Sequence, residues 1–192
     1  MVVLVTRLYL VRHGRAAAGW NVDPDPSLDD VGHRQAADVA EVLASFVPMR
    51  IVSSPLQRCQ QTARHLAEKW DADVRIEPGV GEIPSPPDHT METRVEWLRE
   101  AMRGTWQDVA RTSGAHYLAY RDEVVTSLRQ MTEGTVIFSH FIAINVVIGA
   151  AIGDDRLVIA SLDNCSVTEV VVGNDGSLAI DAIGREADTL IR

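Results

Sequence analysis

Two apolar runs of this chain end in histidine. Leu8-Tyr9-Leu10-Val11 leads into Arg12-His13-Gly14, and Thr135-Val136-Ile137-Phe138 leads into Ser139-His140. A neutral imidazole is a competent nucleophile at neutral pH. A guanidinium beside it matches two oxygens of a phosphate group. Arg58 follows Ser53-Ser54-Pro55, and Glu82 follows the strand-like stretch Val74-Arg-Ile-Glu77 and its Pro78-Gly79 terminator. Two arginines, two histidines and one carboxylate are the parts of a metal-free phosphoryl transfer. Arg12, Arg58 and a protonated His140 can hold the charge on the equatorial oxygens. Glu82 can protonate a leaving alcohol if nearby anions raise its pKa. Taken alone, Arg12-His13-Gly14 also reads as an ordinary strand end with a solvated arginine and a capping histidine, and Glu82 as a loop carboxylate.

The elements around these residues must bring them together. Short apolar runs closed by glycine or histidine read as buried strands of a parallel sheet. In open α/β sheets, ligands bind just beyond the carboxyl ends of such strands. The spacing predicts strands at 8–11, 50–53, 74–77 and 135–140. Helices are expected from Asp30, capped by Asp29 and ended by Pro48, and from Pro55 to Trp70, with a serine as cap. Arg58 then lies in a first helical turn, whose free amides and dipole favour an anion. Gly14 is expected to turn the backbone and to admit a ligand. Further helices are expected at 92–102, 116–131 and 141–149, with 104–114 undecided. The runs 166–172 and 178–183 flank Gly173-Asn-Asp-Gly, a hairpin at one sheet edge. This alternation predicts a three-layer α/β/α sandwich with a mostly parallel central sheet and an antiparallel edge.

A chain of 192 residues suits one domain, here 1–192, without repeat or linker. A net charge of -9 argues against nucleic acid as the main partner. The apolar start Met1-Val-Val-Leu-Val-Thr-Arg7 is too short to span a bilayer and lacks signal-peptide features. Cys59 and Cys165 form no metal-type pair and read as reduced thiols of a cytoplasmic protein. Cys59 reads as a packing residue, with a reactive thiol beside Arg58 as the alternative. His33, His65, His89 and His116 are scattered solvated residues that suggest no metal site.

Arg12-His13-Gly14, Ser53-Ser54-Pro55-Leu56-Gln57-Arg58, Glu82 and Ser139-His140 together resemble the histidine phosphatase superfamily, which contains cofactor-dependent phosphoglycerate mutases and many phosphatases. The resemblance spans the first strand to the fourth. It implies that His13 is the phosphorylated nucleophile, that Arg12, Arg58 and His140 bind phosphate, and that Glu82 is the proton donor. It implies no metal and no cofactor, a small phosphorylated metabolite as partner, and leaves a homodimer open. Arg15 stands where many relatives carry Glu or Gln, Cys59 replaces the usual threonine, and Phe141 replaces a common glycine. The loop to Trp20-Asn21 is longer than in the mutases, and Asn21 is a substrate-contact candidate there. The segment 84–114 is expected to be a substrate lid, with plain packing as the alternative. The segment after Glu82 is short and lacks the mutases' Arg-Glu-Arg-Tyr-Gly type stretch. Hydrolysis of a small phosphomonoester is therefore expected ahead of mutase activity, and a non-catalytic phospholigand-binding module comes third.

Overall fold

The computed structural model describes residues 5–19 and 21–187. The first four residues and Trp20, both weighed above, lie outside the described residues. Six strands form one sheet: β1 (Val5–Arg12), β2 (Arg50–Ser53), β3 (Val74–Ile76), β4 (Thr135–Ser139), β5 (Val167–Gly173) and β6 (Leu178–Ala182). Their order is β3-β2-β4-β1-β5-β6. β3, β2, β4 and β1 are parallel, and β5 and β6 complete the sheet antiparallel. The mostly parallel sheet with an antiparallel edge is the architecture the alternation predicts.

Side chains alternate across the sheet because a strand has a period of two. Val11, Ile51, Val136 and Phe138 face α1 (Asp30–Ala44) and α2 (Gln57–Trp70). Leu8, Leu10, Val52 and Ile137 face the other layer. That layer holds α3 (Thr93–Ala101), α4 (Trp106–Ser113), α5 (His116–Arg129) and α6 (Phe141–Ile152). All of β4 is buried, which fits its continuous apolar run. Each fully buried Leu or Ile contributes about 1.5–3 kcal/mol. Exposed pairs such as Arg103–Glu100 contribute about 0–1 kcal/mol. The two apolar layers, not the surface ion pairs, therefore fix the strand ends.

Several boundaries differ from the sequence expectation. α1 ends at Ala44, where the Ser45 amide and hydroxyl both reach the Val42 carbonyl, so Pro48 lies beyond the helix end. Leu56, not a serine, is the N-cap residue of α2, and Pro55 precedes the helix. α6 runs past Gly149 to Ile152 and stops at Gly153, whose φ is 71°. The undecided stretch 104–114 contains α4, started by a reciprocal capping box between Thr105 and Asp108. Val95, Leu98, Ala101, Trp106 and Val109 from α3 and α4 join the core, so this part of 84–114 packs as scaffold. Pro84–Glu92 remain outside any helix.

Gly14 serves a close approach. A Cβ on Gly14 would lie 2.6 Å from the Gly32 carbonyl oxygen, and one on Gly32 would lie 2.1 Å from that of Arg15. These two glycines let the chain leaving β1 rest directly on the first turn of α1. That contact, rather than room for a ligand, is what glycine supplies at position 14 here.

Candidate active site

β1 and β4 are parallel neighbours, with Arg12 opposite Ser139. His13 and His140 therefore leave adjacent strand ends, their rings 5.2 Å apart at 63°. The His13 amide donates to the Ser139 carbonyl at 3.0 Å, which continues the ladder into the site. From the first turn of α2, Arg58 reaches both rings. Its Nε–H donates to His13 Nε2 and an Nη2–H to His140 Nδ1, each at 3.2 Å. Arg58 Nη1 is buried without a hydrogen-bond partner, 3.8 Å from the Asp25 carboxylate. Arg12 lays its guanidinium over the Phe141 ring at 5.1 Å and donates to the Leu162 carbonyl. Glu82 brings Oε2 to 3.8 Å from His140 Nδ1. The five residues read from the sequence thus surround one point.

The hydrogen bonds fix both tautomers. His13 Nδ1–H donates to the Gly14 carbonyl at 2.8 Å, so Nε2 carries the lone pair and accepts from Arg58. Burial, then Arg58 and Arg12, hold the His13 pKa well below the usual imidazole value. His13 is neutral and its Nε2 lone pair, which accepts from Arg58, faces the site, as a nucleophile requires. His140 is held neutral in the same way, by burial first and then by Arg58, His13 and Arg12. Two guanidiniums and full burial oppose its charge; the sequence reading expects a protonated His140 only against the charge of a phosphoryl group. Burial also raises the Glu82 carboxyl, against the lowering effects of Arg58, the Ile83 amide, Arg12 and the Ile142 amide. The cause is desolvation, not the neighbouring anions invoked from sequence. The direction, toward the protonated form, is the one a proton donor needs.

The N-terminus of α2 is less available to an anion than its position implies. The Gln57 amide donates to the Asp25 carboxylate at 2.7 Å, and the Leu56 amide to Ser54 Oγ at 3.3 Å. Arg58 contributes to the site through its side chain.

Several supporting residues were not foreseen. Thr62 Oγ1 accepts from the Gly14 amide at 3.1 Å and donates to the Arg58 carbonyl at 2.6 Å, tying β1 to α2. Asn164 donates to the His13 carbonyl at 2.8 Å, while the Cys165 amide donates to the Arg12 carbonyl at 2.9 Å. Cys165 has a φ of 55°, an uncommon left-handed conformation held by this turn. Ser54 Oγ lies 2.8 Å from His140 Nε2. Nothing in the local pattern around Asn164 marks it, because only the antiparallel placement of β5 brings it to β1. Thr62, one turn after Arg58 on the same helix, carried a weak signal.

Asn21 is exposed in a turn closed by the Val22 amide on the Gly19 carbonyl. No hydrogen bond among the described residues joins its side chain to the five site residues. Cys59 is buried, with Sγ 3.4 Å from both the Ser139 carbonyl and His140 Nε2. Burial pushes its thiol far up, so it is a packing residue rather than a reactive thiolate. Arg15 pairs with Asp29 instead of entering the site. His33 and His65 stand 3.2 Å apart on α1 and α2. Among the described residues, no group of three or more His, Cys, Asp or Glu can hold a metal ion, and no helix is long and apolar enough to cross a membrane.

The chain matches the model of the histidine phosphatase superfamily (branch 1) over residues 8–183. It is 35% identical over 129 residues to a glucosyl-3-phosphoglycerate phosphatase of Mycolicibacterium vanbaalenii, covering 62% of this chain and 49% of that protein. The chain thus spans about half the length of that relative. It is 27% identical over 186 residues to a probable phosphoglycerate mutase of an Enterobacter species, covering 85% and 84% of the two chains. Among solved structures, a putative alpha-ribazole-5'-P phosphatase of Escherichia coli superposes with a TM-score of 0.74 at 20% identity, over 96% of this chain and 98% of that one. A mycobacterial glucosyl-3-phosphoglycerate phosphatase in complex with VO3 superposes with a TM-score of 0.69 at 22% identity, over 95% and 100%. These last two are likenesses of fold. The sequence match begins in β1, before Arg12-His13-Gly14, and runs through β6, so it takes in every element that positions the five site residues: the chain belongs to the histidine phosphatase superfamily.

Proposed function

We propose that the chain is a metal-independent phosphatase that hydrolyses a small phosphomonoester through a phosphohistidine on His13. One observation carries the reading: a neutral His13 presents its Nε2 lone pair at the point where guanidinium donors of Arg58 converge. The phosphoryl group binds against Arg12, Arg58 and His140, and Arg58 Nε–H turns from Nε2 to a phosphate oxygen. Nε2 attacks phosphorus, the P–O ester bond breaks, and the leaving oxygen takes the proton of Glu82. Water then attacks the phosphohistidine. Glu82 takes the water's proton, the N–P bond breaks, and inorganic phosphate leaves. Asn21 is on the loop that carries Asp25, and with Pro84–Glu92 it forms the proposed rim that meets the rest of the substrate.

The test is hydrolysis of p-nitrophenyl phosphate in EDTA, with a parallel alkaline-detergent quench of reactions on a 32P-labelled phosphomonoester to trap an acid-labile, alkali-stable phosphoprotein. His13→Ala is expected to lose both turnover and trapped label by about 10³-fold or more, with its circular dichroism unchanged. Turnover retained by that variant, or turnover abolished by EDTA and restored by a divalent ion, overturns the reading. The relative named a probable phosphoglycerate mutase covers more of the chain than the phosphatase relative does. Mutase activity is therefore the second reading. Faster conversion of 3-phosphoglycerate to its 2-phospho isomer than release of phosphate from it would favour the mutase.

A further inference from the structure

Ser54 lies at the turn after β2, outside the set of groups that would touch a substrate. Its hydroxyl and the His140 ring are both fully buried, and Oγ is 2.8 Å from His140 Nε2. The other ring nitrogen, Nδ1, faces the site: Arg58 Nη2 lies 3.2 Å away and Glu82 Oε2 3.8 Å away. A guanidinium has no acceptor, so Nδ1 must accept from Arg58 and the ring proton must sit on Nε2. Ser54 Oγ receives that proton, and also the Leu56 amide at 3.3 Å. The charged and titratable groups facing His140 are Arg58 and Cys59 from α2, Glu82 after the single 3-10 turn Pro78–Val80, and Arg12 and His13 at the end of β1.

An anion binding at this point changes the balance. Its oxygens meet a lone pair on Nδ1, acceptor against acceptor. They also offset the two guanidiniums whose charge opposes an imidazolium. We propose that Ser54 is a positioning residue that anchors the Nε2–H of His140, so that a bound tetrahedral dianion draws one proton from solvent onto the site-facing Nδ1. His140 then donates from both nitrogens, Nε2–H to Ser54 and Nδ1–H to the anion. This rests on the phosphoryl-binding reading above and adds to it a linkage: anion affinity falls as pH rises.

The probe is sulfate, a dianion that does not itself titrate near neutral pH. Two-bond 1H–15N spectra of protein labelled at the histidine rings report each nitrogen's protonation directly. At pH 7.5, His140 is expected as the neutral Nε2–H form, converting to the imidazolium at saturating sulfate. Ser54→Ala is expected to shift the His140 Nε2–H resonance and weaken sulfate binding about 10-fold or more, the effect of one lost hydrogen bond to a buried ring. Ser54→Thr keeps the hydroxyl and is expected to restore both. A His140 that remains neutral at saturation overturns the linkage. A Ser54→Ala protein with wild-type spectra and affinity overturns the role of Ser54. If neither His13 nor His140 responds to sulfate, the anion site itself fails, and the linkage with it.

Discussion

The two histidine-bearing strand ends reach the same point by different means. At β1, the His13 ring is oriented by main chain, its Nδ1–H donating to the Gly14 carbonyl; its amide donates to the Ser139 carbonyl, and its own carbonyl accepts from the Asn164 side chain. At β4, the His140 ring is oriented by the side chains of Ser54 and Arg58. The tautomers are opposite, Nδ1–H for His13 and Nε2–H for His140, yet each ring turns a lone pair toward Arg58. A main-chain carbonyl cannot be mutated away or titrated, so the tautomer of His13 is built into the fold. His140 depends on a hydroxyl and a guanidinium, and can change state when the charge beside it changes. Fixed geometry suits a group that must attack; responsive geometry suits a group that must bind.

Three measurements sharpen or break this contrast. The largest effect concerns Glu82, which sits against the β4 end. If it protonates the leaving oxygen, Glu82→Gln should slow alkyl phosphate hydrolysis by about 10²-fold, and a nitrophenyl ester far less, because its phenolate leaves without a proton. Equal small losses on both esters would make Glu82 a structural carboxylate. A smaller effect is expected from Asn164→Ala at the β1 end. Losing the donor to the His13 carbonyl should lower kcat about 10-fold, with KM nearly unchanged, since the bond orients the nucleophile without touching substrate. An unchanged kcat would show that the Ser139 and Gly14 contacts hold His13 unaided.

The smallest effect is on stability. Both histidines have folded pKa values below the unfolded value. Above about pH 6.5 they are neutral in both states and contribute no pH dependence. Below it the unfolded chain takes up protons that the folded chain refuses, so stability falls as pH falls. Glu82, whose pKa is raised by burial, acts in the opposite sense above the normal carboxylate range. Urea unfolding at pH 7 and pH 5.5 is expected to show a net loss of about 1–2 kcal/mol, roughly halved in His140→Gln. The same pH dependence in that variant would mean that His140 is protonated in the folded state at pH 5.5.

The strand ends were legible because chemistry and periodicity coincide there: continuous apolar runs stop at Arg12-His13 and Ser139-His140, and the parallel order puts both ends on one side. Arg58 was legible from its place in the first turn after a strand. The helix boundaries were less so, because Ser45 capping decides the end of α1 three residues before Pro48 can act. The Gly104–Gly114 stretch was ambiguous because its Thr105–Asp108 capping box competes with glycines at both ends.

The sequence by itself determined the alternating α/β order, the buried strands and the five side chains that meet between them, because apolar period and residue chemistry are local properties. Tertiary structure decided the rest. Asn164 is 151 residues from His13 and meets it only because β5 returns antiparallel beside β1. Gly14 and Gly32 acquire their meaning only when α1 is laid against the end of β1. The protonation states of His13, His140 and Glu82 also belong to the assembled molecule. Each is set first by burial, and burial is a property of all the surrounding elements at once.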